Sequence, residues 1–303
     1  MPRRYVVLDV FTTRLLEGNP LAIVLDAEGL DGAAMQRIAG EFNLSETVFV
    51  QPPDNPAHTA KIRIFAPARE LPFAGHPTVG TAAFLAEQRF AERGMAMDAV
   101  IVLEETVGPV RCAVGLAPDR PTYAEFDVPR LAERVDIDFG GRAEIAEALN
   151  LNPHDIGFEN HGPSRWSASV PYAFVPVKDI AAMRDAKPNT AAWRDAFLVE
   201  GTSAFVYCRE TLFHDSRFHA RMFGPEFGIV EDPATGSAVA AFAGLVNAFD
   251  DLPNGAHRYR IEQGFEMGRA SLIDLEVEVM NGALVASRIG GHAVKMAEGT
   301  LFL

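Results

Sequence analysis

Arg63-Ile64-Phe65-Ala66-Pro67, followed by Ala74-Gly75-His76-Pro77-Thr78-Val79-Gly80, returns later in the chain as Arg221-Met222-Phe223-Gly224-Pro225, followed by Asp232-Pro233-Ala234-Thr235-Gly236-Ser237-Ala238. Phe65 and Phe223 are 158 residues apart and Gly75 and Gly236 are 161 apart, so the second copy carries about three extra residues. Each copy runs into a very apolar stretch, Thr78 to Ala86 in the first and Ala238 to Val246 in the second. A helix that is apolar on every face is enclosed; it does not lie on a surface. The pattern predicts two pseudo-symmetric α+β domains, each a curved sheet around one buried helix. A functional step repeated in both halves predicts one cleft built between them.

The remaining sequence fits that plan. A chain of 303 residues accommodates two domains of roughly 150 residues each. The boundary is expected near residue 120, within Pro-rich and acidic text from Ala117 to Pro129, giving halves of 1–120 and 121–287. Short strands are expected at Tyr5 to Phe11 and Leu21 to Leu25, around a Gly18-Asn19-Pro20 turn. Met35, Ile38, Ala39 and Phe42 follow helical spacing from a start near Asp31, with Asn43 as a left-handed stop. Further strands are expected at Thr47 to Val50, Lys61 to Phe65, Val100 to Leu103, Val110 to Val114, Ala204 to Arg209 and Phe218 to Phe223. Extra helices are expected at Arg142 to Asn150 and Ile180 to Phe197. The strand-rich tail from His257 to Leu303 has expected turns at Asn281-Gly282 and Gly290-Gly291.

Composition excludes several classes. The chain has 41 acidic and 27 basic residues, a net charge of −14, which repels phosphate backbones and anionic membrane surfaces. Nucleic acid and membrane are therefore not expected partners. Asp9 interrupts the apolar N-terminal run, and no stretch is apolar over the 18 or so residues of a membrane span, so a cytoplasmic location is expected. Cys112 and Cys208 sit in separate strand-like runs with no metal knuckle or C-x-x-C pair, and read as buried filler. There is no H-E-x-x-H, G-x-S-x-G, Walker loop or G-x-G-x-x-G, and His214 and His219, five apart, do not stack on one helical face. What remains is carboxylate and imidazole acid/base chemistry, without metal or cofactor.

The candidates for that chemistry cluster at the repeated step. A helix start offers unpaired N–H groups and partial positive charge to carboxylates and developing oxyanions. Gly75 and Gly236 remove side-chain bulk there, so that backbone can touch a ligand; taken singly, each also suits a tight strand-to-helix turn. His76 and Ser237 occupy the same starts. Asp232, before Pro233, suits either an Asx-type turn or the site. Glu46 opens a strand directly after a helix stop, a place that suits a solvated carboxylate as well as a general base.

At these residues the chain resembles the phenazine-biosynthesis isomerase (PhzF) family, within the diaminopimelate epimerase-like superfamily. The blocks are Glu17-Gly18-Asn19-Pro20-Leu21-Ala22, Asn43-Leu44-Ser45-Glu46-Thr47, Glu70 to Thr78, Glu231 to Ala238, and Gln263-Gly264 with Met267-Gly268-Arg269. The resemblance implies barrel-like sheets, with the last strands, about 288–303, returning to the first half. It implies cofactor-independent proton transfer, a double-bond shift on a small carboxylate such as trans-2,3-dihydro-3-hydroxyanthranilate. Glu46 would be the general acid/base, with His76, Asp232 and Ser237 orienting substrate and assisting proton traffic. The Gly75 and Gly236 amides would hold polar substrate groups. A homodimer is implied as well. The related racemases use two cysteines, one per half, and Cys112 and Cys208 lie outside both motifs. Two other readings remain: an epimerase or racemase with non-thiol acid/base residues, and a metabolite-binding or interaction protein without turnover.

Overall fold

A computed structural model describes residues 2–90 and 95–303. The chain forms two compact units, one running up to Pro129 and including Gly290–Leu303, the other comprising Arg130–Ile289. Strands are numbered β1–β17 and helices α1–α6 along the chain.

The first unit contains β1 (Pro2–Val10), β2 (Asn19–Val24), α1 (Gly32–Phe42), β3 (Glu46–Gln51), β4 (Ala60–Ala66), β5 (Arg69–Leu71), α2 (Gly75–Phe90), β6 (Met97–Glu105), β7 (Gly108–Ala117) and β8 (Arg120–Asp127), and takes in β17 (Ala283–Phe302) from Gly290 onward. β1 pairs antiparallel with β2, β2 parallel with β3, β3 antiparallel with β4, β4 parallel with β6, and β6 to β8 form an antiparallel meander. β17 pairs with both β1 and β8, which closes the sheet into a barrel. Eleven of the sixteen residues of α2 are buried, so its first three turns have no solvent stripe. The helix packs against β1, β2, β3, β6, β7 and β8, inside the ring of strands. α1 lies elsewhere on the sheet, with Met35, Ile38 and Ala39 inward, the Asp31 carboxylate accepting from the Ala34 amide at 2.7 Å, and Asn43 closing it at φ 50°.

The second unit repeats the plan with additions. It holds β9 (Glu133–Arg134), α3 (Arg142–Ala148), β10 (Ser164–Ser167), β11 (Pro171–Pro176), α4 (Ile180–Asp185), α5 (Thr190–Phe197), β12 (Ala204–Cys208), β13 (Phe218–Gly224), β14 (Ile229–Asp232), α6 (Gly236–Asp250), β15 (Gly255–Gln263) and β16 (Ser271–Met280). β10 pairs antiparallel with β11, β11 parallel with β12, β12 antiparallel with β13, β13 parallel with β15 and β15 antiparallel with β16, the same alternation as β1 to β7. α6 takes the place of α2 and is buried at Gly236 and from Ala238 through Val246. Its Phe242 lies 4.9 Å, ring to ring, from both Tyr207 and Phe218 and within 6 Å of Phe174 and Phe205. α3, α4 and α5 cover another face of the sheet, with Ile145, Leu149, Met183, Trp193 and Phe197 in one buried cluster with Val175, Val206 and Phe223. No described helix is long and apolar enough to cross a membrane.

Three sequence expectations are corrected. The segment expected to cross between halves, Ala117 to Pro129, is mostly strand: β8 turns Thr122, Ala124 and Phe126 into the first unit's core. Its period-two apolar alternation was masked by flanking prolines and acids. The expected helix from Ile180 to Phe197 is two helices. Pro188 lacks an N–H and disfavours helical backbone before it, and the connection is tied down by the Lys187 amide to Leu149 O and the Asn189 amide to Ala148 O. Gly290-Gly291 is no turn but lies inside β17. A Cβ on Gly290 would sit 2.3 Å from the Tyr123 hydroxyl oxygen, so this glycine serves a close approach to β8. Asn281-Gly282, with φ of 53° and 77°, is the turn between β16 and β17.

The repeated R-x-F-x-P text is a clip between strands. In the first unit Arg63 Nε and Nη2 each donate at 2.7 Å to Glu70 on β5, and the guanidinium lies over the Phe65 ring. In the second, Arg221 Nε and Nη2 each donate at 2.8 Å to Glu231 on β14, over the Phe223 ring. Glu70 follows Phe65 by five residues and Glu231 follows Phe223 by eight, which puts the three extra residues in the second hairpin around its short turn Pro225–Phe227. Arg221 is also buried and donates to the carbonyls of Met183 and Ala186, which joins α4 to the clip. The clip fixes the hairpin that leads into each buried helix.

Truncation of the α6 core should be costly. Phe242→Ala is expected to lower unfolding free energy by about 3–5 kcal/mol, as for other buried Phe truncations, read by urea denaturation followed through the tryptophan fluorescence of the second unit.

Candidate functional site

In the first unit the chain reaches Glu46 through the left-handed stop at Asn43, and β3 begins at that glutamate, paired with Leu21 of β2. β4 and β5 then return and deliver the chain to α2, whose second residue is His76. Thirty positions separate Glu46 from His76 in sequence, yet Glu46 Oε2 lies 3.1 Å from His76 Nδ1. The His76 side chain is 5% exposed and the Glu46 side chain 18%, so the carboxylate keeps an open edge while the imidazole does not.

Burial pushes the His76 imidazole down to about 3. The contact is therefore a hydrogen bond between a neutral ring and a carboxyl group, and the geometry that would suit an ion pair is not one at neutral pH. Two proton placements satisfy it. Nδ1–H donates to an ionised Glu46, or a protonated Glu46 donates to a bare Nδ1. The two placements differ by one proton, the one an acid/base takes up and returns: the ring is neutral in both, as the Nδ1–H tautomer beside the carboxylate or the Nε2–H tautomer beside the acid. His76 Nε2 is buried and meets no partner among the described residues. At the same helix start, Thr78 N is the first to close on Ala74 O, and Pro77 has no N–H, so the Gly75 and His76 amides precede the helix's own ladder.

In the second unit Asp232 ends β14 and is buried. Thr235 Oγ1 donates to Asp232 Oδ2 at 2.6 Å and accepts from Gln263 Nε2 at 2.9 Å. Gln263 Nε2 also donates to Asp232 O, and Gln263 Oε1 accepts from the Thr235 amide. A fully buried glutamine from β15 thus clamps the whole Asp232–Thr235 loop. Gly264, at φ 77°, follows because a Cβ there would strike Pro233 O and Arg269 O. The Thr235 hydroxyl faces Asp232, so it does not cap α6, and the first closures of that helix are Ala238 N and Val239 N on Thr235 O. The Gly236 and Ser237 amides again precede the ladder. Ser237 Oγ lies 2.7 Å from the Tyr172 hydroxyl on β11.

Glu46, Gly75 and His76 belong to the first unit, and Asp232, Gly236 and Ser237 to the second. Sequence reading missed Tyr172, which stands 65 positions from Ser237 with no spacing signal. It also quoted Gln263-Gly264 without giving Gln263 its clamp. Cys112 and Cys208 are buried free thiols, and burial drives both up, Cys208 to about 12, so neither is a thiolate at neutral pH. A groove of about 630 Å³ lined by Arg209, Arg217, Phe249, Asp250 and Tyr259 lies at the other end of α6 from Gly236 and contains none of the residues named from sequence. Among the described residues no cluster of three His, Cys, Asp or Glu side chains is arranged to hold a metal.

The pattern that defines the phenazine biosynthesis-like protein family matches residues 8–299. The chain belongs to this family. It is 52% identical to an uncharacterized isomerase of Mesorhizobium japonicum, with 99% of each chain covered. It is 34% identical to trans-2,3-dihydro-3-hydroxyanthranilate isomerase of Pseudomonas aeruginosa, again over 99% of each. A crystal structure of a PhzF-family phenazine biosynthesis protein from Bacillus anthracis superposes with a TM-score of 0.87 at 25% identity, covering both chains completely. The fold is the α+β, diaminopimelate epimerase-like one expected from sequence, and the protein is an enzyme of isomerase type.

Two outcomes follow from the geometry. His76 should show the ¹⁵N shifts of a neutral imidazole at pH 5, where an exposed histidine is charged; a charged ring at that pH would refute its buried, neutral state. Gln263→Ala strands the Thr235 amide and Asp232 carbonyl, and should cost about 1–3 kcal/mol for each buried group left unpaired, measured by thermal or urea unfolding.

Proposed function

We infer that this protein moves a proton between two carbons of a small carboxylate-bearing substrate, shifting a double bond, with Glu46 as the general acid/base. The observation that carries this reading is the 3.1 Å contact between Glu46 Oε2 and His76 Nδ1 at the start of α2. In the forward step the Glu46 carboxylate takes a proton from an acidic C–H. The electron pair left behind delocalises along the conjugated system, and the same carboxyl returns the proton at another carbon. No electrons leave the substrate, and nothing is gained or lost overall.

His76, neutral and held by burial, orients the Glu46 carboxyl by donating from Nδ1 to Oε2; the proton drawn from substrate goes to the Glu46 carboxyl while the ring keeps its single N–H. The Gly75 and His76 amides, free of the helix ladder, favour negative charge as the C–H bond breaks. By family resemblance Asp232 and Ser237 would orient substrate, with the Gly236 amide as a further donor. The Gln263 clamp and the Tyr172 hydroxyl would hold those two side chains in place. Dihydro-3-hydroxyanthranilate is the substrate class favoured by the 34% identity to the Pseudomonas aeruginosa isomerase. Thiol-based racemisation is disfavoured by two buried thiols held above neutrality.

The test is proton exchange in D2O, followed by NMR on dihydro-3-hydroxyanthranilate and a panel of small amino and hydroxy carboxylates. Glu46→Gln should fold normally and lose about 10²–10⁴-fold or more in exchange rate, the contribution of a positioned acid/base. Near-full exchange by that variant would refute the role of Glu46. Deuterium at a vinylogous carbon supports the double-bond shift, and deuterium at an inverted stereocentre would replace it with epimerisation.

A further inference from the structure

Glu105, the last residue of β6, takes no part in the chemistry described above, yet its carboxyl group is buried against the first turn of α2. Glu105 Oε1 lies 2.7 Å from Thr78 Oγ1, and the same hydroxyl lies 2.8 Å from the carbonyl oxygen of Ala74. Glu105 Oε2 is buried with no hydrogen-bond partner among the described residues. These contacts constrain the proton count. A hydroxyl has one hydrogen to give, and a carbonyl only accepts. Were Glu105 ionised, Thr78 Oγ1 would face two acceptors with one hydrogen, so a buried charge would compete with Ala74 O for it and leave that carbonyl with only the longer 3.3 Å contact from the Thr78 amide. With Glu105 neutral, its O–H donates to Thr78 Oγ1, Thr78 donates to Ala74 O, and each contact joins one donor to one acceptor.

Among the described residues the surroundings offer no charge to offset an ionised Glu105. On α2 the neighbouring groups are Thr78 and His76, the latter a neutral ring. On β7 the nearby titratable group is Cys112, a neutral buried thiol, and on β8 Asp127 acts on that same cysteine. The adjacent Glu104 serves other partners, accepting from the amides of Asp54 and Asn55 and contacting His58. No cation among the described residues stabilises Glu105, and burial, opposed only in part by the Thr78 contact, pushes its carboxyl up to about 8. Ala74 directly precedes Gly75-His76, and the loop before it is tied to the β6–β7 turn by the Val107 amide donating to Pro72 O.

We propose that Glu105 is a positioning residue whose neutral carboxyl group, acting through Thr78, fixes the Ala74-Gly75-His76 step and so aims the His76 imidazole at Glu46. Loss of its proton turns the Thr78 hydroxyl away from Ala74 and releases that step. The catalytic meaning of this device rests on the acid/base reading of Glu46; its structural part does not. The folded protein holds this proton over a range where the unfolded chain has given it up, so the contribution of Glu105 to stability falls as pH rises from about 4.5 to about 8 and is level above that.

The experiment compares the intact protein with Glu105→Gln, whose amide keeps a neutral donor toward Thr78, and with Thr78→Val, which cuts the link. Backbone amide resonances of Gly75 and His76 should titrate near pH 8 in the parent protein and be flat in both variants. The stability of Glu105→Gln relative to the parent should climb from pH 5 to pH 8. Exchange of substrate protons should decline on the alkaline side in the parent and keep its rate there in Glu105→Gln. Flat Gly75 and His76 resonances in the parent, or the same titration in Glu105→Gln, overturn the proposal, as do identical alkaline exchange profiles. If the resonances behave as expected and no carboxylate in the panel exchanges, the acid/base reading fails while the placement of Glu105 stands.

Discussion

Enclosing a helix that is apolar on all sides is the constraint on which each unit depends. α2 and α6 have no polar stripe, so they are stable only inside a sheet that covers them all round. In the first unit the sheet meets that demand by closing, with β17 bridging β1 and β8. The ends of such a helix cannot be treated like its sides. Its first amides have no partner in their own ladder and need something polar to meet. In this chain the side chains beside those first amides are His76 in one unit and Ser237 in the other.

Each helix start is held by side-chain contacts to the residues just before it and in its first turn. In the second unit Gln263 bonds both sides of the Asp232–Thr235 loop, and Thr235 spends its hydroxyl on Asp232 instead of capping α6. In the first unit Thr78 closes on Ala74 and meets Glu105. Farther back, Arg63–Glu70 and Arg221–Glu231 fix the hairpins that deliver the chain to those starts. Buried polar networks of this kind rigidify a site when every member is satisfied, and they disturb it when one is not. In another network His219 and Glu262 are fully buried and Glu266 is mostly so, with His219 between the two carboxylates. Burial disfavours its charge, but the two carboxylates outweigh that and raise the imidazole to about 9, so it stands as a cation that stitches β13 to β15 and the loop beyond.

Much of this was legible in the sequence because it is written in local text. The enclosed helices show as unbroken apolar runs, α1 shows in the spacing of Met35, Ile38, Ala39 and Phe42, and the duplication shows in recurring Arg-x-Phe and Gly steps. Where reading failed, a competing local signal hid the pattern. Prolines and acids hid the alternation of β8, a single Pro188 divided one expected helix into α4 and α5, and Gly290 served a neighbouring tyrosine where a turn was expected. The recurring Arg63 and Arg221 carried no role in the sequence, and the structure shows them clipping each hairpin through Glu70 and Glu231.

The sequence by itself determined the duplicated plan, the buried helices, the family and the residue types available for acid/base chemistry, because periodicity, turn chemistry and short motifs act between near neighbours in the chain. Only the tertiary structure decided which of those residues meet. Glu46 with His76, Ser237 with Tyr172, Thr235 with Gln263 and Thr78 with Glu105 are joined across 27 to 65 positions. Such contacts arise from the register of strands around an enclosed helix, and burial then sets protonation states that no local sequence specifies. That is why His76 stands neutral and Glu105 is pushed above the ordinary carboxylate range.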